Sequence, residues 1–159
     1  MPRLGKAHSL PDGFWEKWLD FVLEHEKGGP KLFACLWLTS AMCLRITQAA
    51  QLVAEEVLAN KVYIRAFKGK KAFYKSMLPS VAQQIRKLRK EGLEVKSLAR
   101  QCGGRGLVRL RRHFSWPKKG PLFASRTGAS KGHWNKDVVA AKIRQIRPDC
   151  VAKHSRTWP

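Results

Sequence analysis

The amino-acid sequence predicts an α+β fold, mainly α, on three observations. Apolar side chains recur at three- and four-residue steps from Phe14 to Leu23 and again from Leu32 to Trp37, the spacing that gathers them on one helical face. A run rich in β-branched and aromatic residues, Val62 to Phe67, meets the turn-forming Lys68-Gly69-Lys70-Lys71 and returns through Ala72 to Leu78, which reads as an antiparallel hairpin. With 159 residues, 44% of them apolar, the chain has material for one domain or two small ones around a core of ordinary size.

Residues 1–10 are polar and are expected to form a flexible N-terminus. Pro11-Asp12-Gly13 starts a first amphipathic helix carrying Trp15, Trp18, Leu19, Val22 and Leu23, which ends near His25-Glu26. Lys27-Gly28-Gly29-Pro30 breaks it, and Pro30 suits the first turn of a second helix that runs to about Leu44. Thr47 is placed to cap a third helix through about Leu58, after which Asn60 turns the chain into the hairpin. Pro79-Ser80 with Gln83 spells a capping box, and the helix it opens passes Ile85 and Leu88 until Gly92 ends it. A short helix is expected over Val95 to Gln101, a flexible break over Cys102 to Gly106, and a candidate strand over Leu107 to Phe114. Trp116 to Pro121 reads as a loop, Leu122 to Ser125 as a short apolar insert, and Arg126 to Ala129 as a turn. A last helix spans Ser130 to about Ile146, with Trp134, Val138, Ala141 and Ile143 available to pack. The domain is therefore drawn over 11–147, followed by an irregular tail over 148–159.

Charge decides the class of partner. Thirty-two Lys and Arg against 11 Asp and Glu give a net +21 and a pI near 10.6, far beyond what solubility requires. Nucleic acid is the first candidate polyanion and an anionic membrane surface the second. The longest apolar stretch, Leu32 to Leu44, is shorter than a membrane span and runs into Arg45, and the N-terminus lacks an apolar signal core. Cys35, Cys43, Cys102 and Cys150 form no CxxC pair, and Cys35 and Cys43 fall in apolar helix. Buried free thiols in a reducing, intracellular compartment are expected rather than disulfides or zinc. The five histidines have no ligand spacing, so no metal site is expected. The tryptophans at helical spacing, Trp15, Trp18, Trp37 and Trp134, are assigned to the core.

One residue stands out against this pattern. Arg45 interrupts the apolar and small-residue run from Ser40 to Leu52, near the junction of two apolar helices. An unpaired charge against a core costs several kcal/mol in practice, so the guanidinium must reach a carboxylate, free helix carbonyls or an outside anion. Glu55 and Glu56 are the nearby acids that would satisfy it internally.

The order of these elements resembles the catalytic domain of the tyrosine recombinases, the phage integrase family. In that family the segment around the first catalytic arginine is close to Thr-Gly-Leu-Arg-Ile-Ser-Glu-Ala-Leu-x-Leu. Leu44-Arg45-Ile46-Thr47-Gln48-Ala49-Ala50-Gln51-Leu52 is similar to it, with Cys43 in the place of the glycine. Phe67-Lys68-Gly69-Lys70-Lys71 is similar to the family's lysine-bearing hairpin turn, and Leu122-Phe123-Ala124-Ser125 to its Leu-Phe-Pro-Ser. The likeness covers residues 14–146.

The resemblance implies a helical core with a small antiparallel sheet and a role in DNA cleavage and rejoining without metal or other cofactor. It implies that Arg45 grips the scissile phosphate in bidentate fashion and that Lys68 is the general acid, with Lys70 or Lys71 as the alternative. Lys70, Lys71, Arg86, Arg89, Lys90 and Lys131 are then expected to contact double-stranded DNA, on which copies of the chain assemble. Two departures qualify this. Gln48 stands where the family has an acid, and the downstream His-x-x-Arg and nucleophilic tyrosine are missing, Tyr63 and Tyr74 lying at the hairpin. The catalytic domain is therefore expected to be incomplete, and these residues alone to bind DNA without cutting it. The other reading is a non-catalytic basic protein that binds DNA or RNA through diffuse charge.

Overall fold

The computed structural model describes residues 12–66, 69–100, 107–125 and 132–153, and they form an α+β fold, mainly α. Helix α1 (Phe14–Glu24) buries Leu19 and Val22, and helix α2 (Pro30–Ala41) buries Leu32, Ala34, Cys35, Leu36 and Leu38. The connection between them is tight. The Gly29 amide donates to the Val22 carbonyl at 2.9 Å, and a Cβ on Gly28 would run into that same oxygen, so position 28 requires glycine. Pro30 starts α2 as expected, since its missing N–H is one that no helical carbonyl would accept from.

Helix α3 (Ile46–Ala50) is a single short turn, not the helix to Leu58 that Thr47 suggested. Arg45 is its N-cap, with Thr47 inside the helix. Beyond it the chain is drawn into pairing with a distant segment: the Leu122 amide donates to the Leu52 carbonyl at 2.9 Å and the Ala54 amide to the Gly120 carbonyl at 2.8 Å. A 3₁₀ turn over Ala54–Glu56 follows, and then the hairpin of β1 (Lys61–Ile64) and β2 (Phe73–Ser76). Its register is Lys61 opposite Ser76, Val62 opposite Lys75, Tyr63 opposite Tyr74 and Ile64 opposite Phe73.

Helix α4 (Pro79–Glu91) has Leu78 as its N-cap, with no side-chain cap, so the Ser80–Gln83 capping box does not form. Pro79 takes the first turn instead, and Gly92 ends the helix at φ +68°. The expected helix from Val95 is instead a strand: β3 (Leu93–Arg100) pairs antiparallel with β4 (Leu107–Phe114) over eight residues in register. Helix α5 (Lys136–Lys153) begins later than expected, where the Asn135 side-chain oxygen accepts from the Val138 amide at 3.0 Å. Its backbone then passes through Pro148 to Lys153, beyond the anticipated end near Ile146.

Helix α2 is the hub, packed by α1, α3, β3 and β4, with α5 against α3. Buried apolar residues from Leu19 to Ile146 join in one cluster. At one end is an aromatic column in which Phe123, fully buried, stacks on Phe114 at 5.8 Å and on Trp134 at 6.0 Å between ring centroids. The Lys31 and Lys142 ammoniums lie over the Trp134 ring at 4.4 and 5.2 Å. Arg112 supplies the C-terminal cap of α1: its guanidinium donates to the carbonyls of His25 at 2.6 Å and Glu26 at 2.9 Å. Both carbonyls lie just past the last residue of α1, where the cation complements the negative end of the helix dipole; the His25 carbonyl also accepts from the Gly28 amide at 3.0 Å. Among the described residues no helix is long and apolar enough to cross a membrane.

Candidate nucleic-acid interface

The turn that presents Arg45 is built by the end of α2. Cys43 has φ +51°, the left-handed region that a Cβ disfavours. The Leu44 amide donates back to Thr39 at 2.9 Å and the Cys43 amide to Ser40 at 3.2 Å, the two bonds of a Schellman motif. Glycine is the usual residue at that position. Leu44 is buried on the inner side of the turn, and Arg45 emerges exposed on the outer side. The Gln48 side-chain oxygen accepts from the Arg45 backbone amide at 2.9 Å, which fixes the N-cap of α3. An amide oxygen at position 48 is enough for this; a carboxylate is not required.

The two acids available to neutralise Arg45 are engaged elsewhere. Glu56 forms an ion pair with Arg65, and the Glu55 carboxylate accepts from the Gly120 amide at 2.9 Å. Among the described residues no acceptor or acid lies within hydrogen-bonding or ion-pair distance of the Arg45 guanidinium.

A second cation reaches the same turn from the hairpin. Lys75 lies opposite Val62, which is fully buried, so its side chain leaves the inward face of the ribbon, and its Nζ donates to the Cys43 carbonyl at 2.9 Å. An ammonium is thereby tied two residues from Arg45 in the chain. Beside this turn a small open groove is lined by Thr47 and Gln48 of α3, by Gln51, Leu52 and Glu56 after it, and by Tyr63, Ile64 and Arg65 at the end of β1. Its lining is mostly apolar, with Leu52, Ile64 and the Tyr63 ring beside the side chains of Thr47, Gln48 and Gln51, and Arg65 and Glu56 pair with each other.

The other anticipated residues fall into three groups. Lys70, Lys71, Arg86 and Lys90 are exposed, the first pair ahead of β2 and the second on the outer side of α4. Arg89 also has partners within the protein: its guanidinium donates to the Val57 carbonyl and lies over the Trp116 ring at 5.4 Å, and desolvation there pushes its pKa below the ordinary arginine value. Lys68 and Lys131 lie outside the described residues. Of the two expected buried thiols, Cys35 is buried and Cys43 is exposed on the strained turn.

Sequence reasoning missed Lys75. The signal was present in the strand alternation: Val62 and Ile64 face the core, and the residue opposite Val62 must share that face. No protein-family model, curated protein or solved structure matches the chain.

Proposed function

We propose that the protein binds duplex DNA at the notch formed by the α2–α3 turn and the β1–β2 hairpin, in the manner of the first half of a tyrosine recombinase catalytic domain. Arg45 takes a backbone phosphate in this reading and Lys75 stands beside it as a second cation. The supporting observation is the exposed Arg45 guanidinium, left without an acid while Glu55 and Glu56 are occupied by other partners. A second, weaker support is the φ of +51° at Cys43, where the recombinase pattern has glycine. The net charge of +21 supplies the long-range attraction.

Cleavage through a covalent tyrosine ester needs an in-line nucleophile beside the gripped phosphate and an acid for the leaving oxygen. Lys68 is the proposed acid. The family pattern assigns no nucleophile to either hairpin tyrosine, so binding without strand cleavage is the activity proposed for these residues.

Measured duplex affinity against salt tests the notch. Arg45→Ala should lower the salt slope by about 0.9, one phosphate contact, while Lys136→Ala on the exposed start of α5 leaves it near the native value. Equal effects of the two substitutions would support the diffuse-charge reading, which the overall composition alone favours.

A further inference from the structure

Among the described residues, the large apolar side chains that remain exposed are Leu58, Phe73, Tyr74 and Leu78. All four belong to the β1–β2 hairpin or to the chain just before and after it. Tyr74 is 56% exposed and sits directly opposite Tyr63, with ring centroids 5.2 Å apart and planes inclined at 59°. Because Val62 and Ile64 point into the core, Tyr63 and Tyr74 share the outward face of the ribbon.

Cations frame the pair. The Lys61 ammonium lies 4.4 Å over the Tyr74 ring, and Lys70 and Lys71 are exposed ahead of β2. Neither strand contains an acid, and the nearby Glu56 is held by Arg65. A neutral apolar partner would desolvate these ammoniums without compensation, whereas a polyanion with flat faces meets both the rings and the charge. An exposed ammonium over a ring is weakly held and readily exchanges its place for a stacked base.

We infer that the outward face of the hairpin, centred on Tyr63 and Tyr74, binds unpaired bases of single-stranded DNA, with Lys61 on the adjoining phosphate. The choice of DNA rests on the function proposed above; the platform itself makes no use of Arg45. Stacking gives little sequence discrimination, since every base offers a π face.

The test is anisotropy titration of the full chain with a short oligo(dT) and with a duplex, using Tyr74→Ala and Tyr74→Phe. Tyr74→Ala should weaken oligo(dT) about tenfold and leave the duplex within about twofold, with an unchanged salt slope, because a ring and not a charge has been removed. Tyr74→Phe should keep the single-strand affinity. Arg45→Ala should do the reverse of Tyr74→Ala, weakening the duplex and sparing oligo(dT), so failure of the notch and failure of the platform give different patterns. Thermal melts will show whether each variant is folded, and a side chain this exposed tolerates truncation. The inference is overturned if Tyr74→Ala leaves oligo(dT) binding unchanged, or weakens duplex and single strand alike. Tighter binding of oligo(rU) than of oligo(dT) overturns the choice of DNA. Concentration-dependent self-association that Tyr74→Ala abolishes also overturns it, and makes this face an interface between copies.

Discussion

Replacing Cys43 with glycine should make the protein more stable. A Cβ in the left-handed region costs about 1–2 kcal/mol through its approach to the following carbonyl. Glycine returns part of this gain, because its freer unfolded chain loses about 0.4–1 kcal/mol more on folding. The thiol contributes little to offset the gain: it is exposed, and its Sγ lies 3.8 Å from the Ser40 carbonyl as a weak donor. The balance is a stabilisation of about 0.5–1 kcal/mol, and a change of 1 kcal/mol moves Tm by roughly 2–4 °C in a chain of this size. Cys43→Ala keeps the Cβ and should stay within about 0.5 kcal/mol of the native chain. Cys43→Val adds a branch where even one Cβ is crowded, and should lose at least about 1 kcal/mol. Urea unfolding of the native chain and the three variants, read at constant m-value, measures the series. A glycine variant no more stable than the alanine variant would refute the argument, since the Schellman turn would then carry no Cβ strain. Duplex affinity should be unchanged in the glycine variant, because the turn that presents Arg45 is kept.

Four further outcomes follow from features already described. Arg112→Ala removes charged hydrogen bonds to the end of α1 and should cost about 2–3 kcal/mol in urea unfolding, with Arg112→Lys recovering only part of it because one ammonium cannot span the same carbonyls. Arg89→Ala should cost about 1–2 kcal/mol of stability through the Val57 carbonyl and the Trp116 ring, whereas Arg86→Ala and Lys90→Ala should leave stability within about 0.5 kcal/mol and lower only the salt slope of DNA binding. With Cys102 and Cys150 changed to serine, a thiol reagent should label Cys43 rapidly in the folded protein and Cys35 only on unfolding. Burial pushes the Cys35 thiol up from the ordinary 9.0 to about 12, so the folded chain keeps a proton that the unfolded chain releases. The stability linked to Cys35 is therefore intact below pH 9.0 and is lost as pH climbs towards about 12, which a pH series of unfolding midpoints against Cys35→Ala would show.

Much of the fold was legible where a local signal sufficed. Helices α1 and α2, the hairpin and α4 each carry their own periodicity or turn residues, and their limits fall close to those anticipated. The errors lie where a distant partner decides. Leu93 to Arg100 is a strand because Leu107 to Phe114 offers eight residues of pairing, and no helical pattern in the segment itself could weigh that. Leu52 to Ala54 leaves the helical path because the amide of Leu122 and the carbonyl of Gly120 are waiting for it. The apolar pattern around the third helix consequently overruns its end at Ala50 by several residues. Of the candidate site, Arg45 was visible as a charge in an apolar run, and its outward direction follows from Leu44 being the buried member of the turn. Lys75 carries no local mark of its own: the basic, glycine-containing hairpin tip stands out in the sequence, whereas strand alternation alone sets the side on which Lys75 lies. Arg89 looked like its basic neighbours on α4, and only the nearby Val57 carbonyl and Trp116 ring distinguish it.

The link between Leu52 and Leu122 bears on how the chain is made. The segment just after the short helix behind Arg45 finds its backbone partners at Gly120 and Leu122, about seventy positions later, and the helix itself is packed by α5, so a nascent chain released before Phe123 would lack both. Such long-range closure is slow and leaves apolar surface open to other chains in the interval. Fragments intended for expression should therefore extend through Ile146 of α5, and a stop placed within β4 is expected to yield insoluble protein even though every residue proposed for the phosphate notch would still be present.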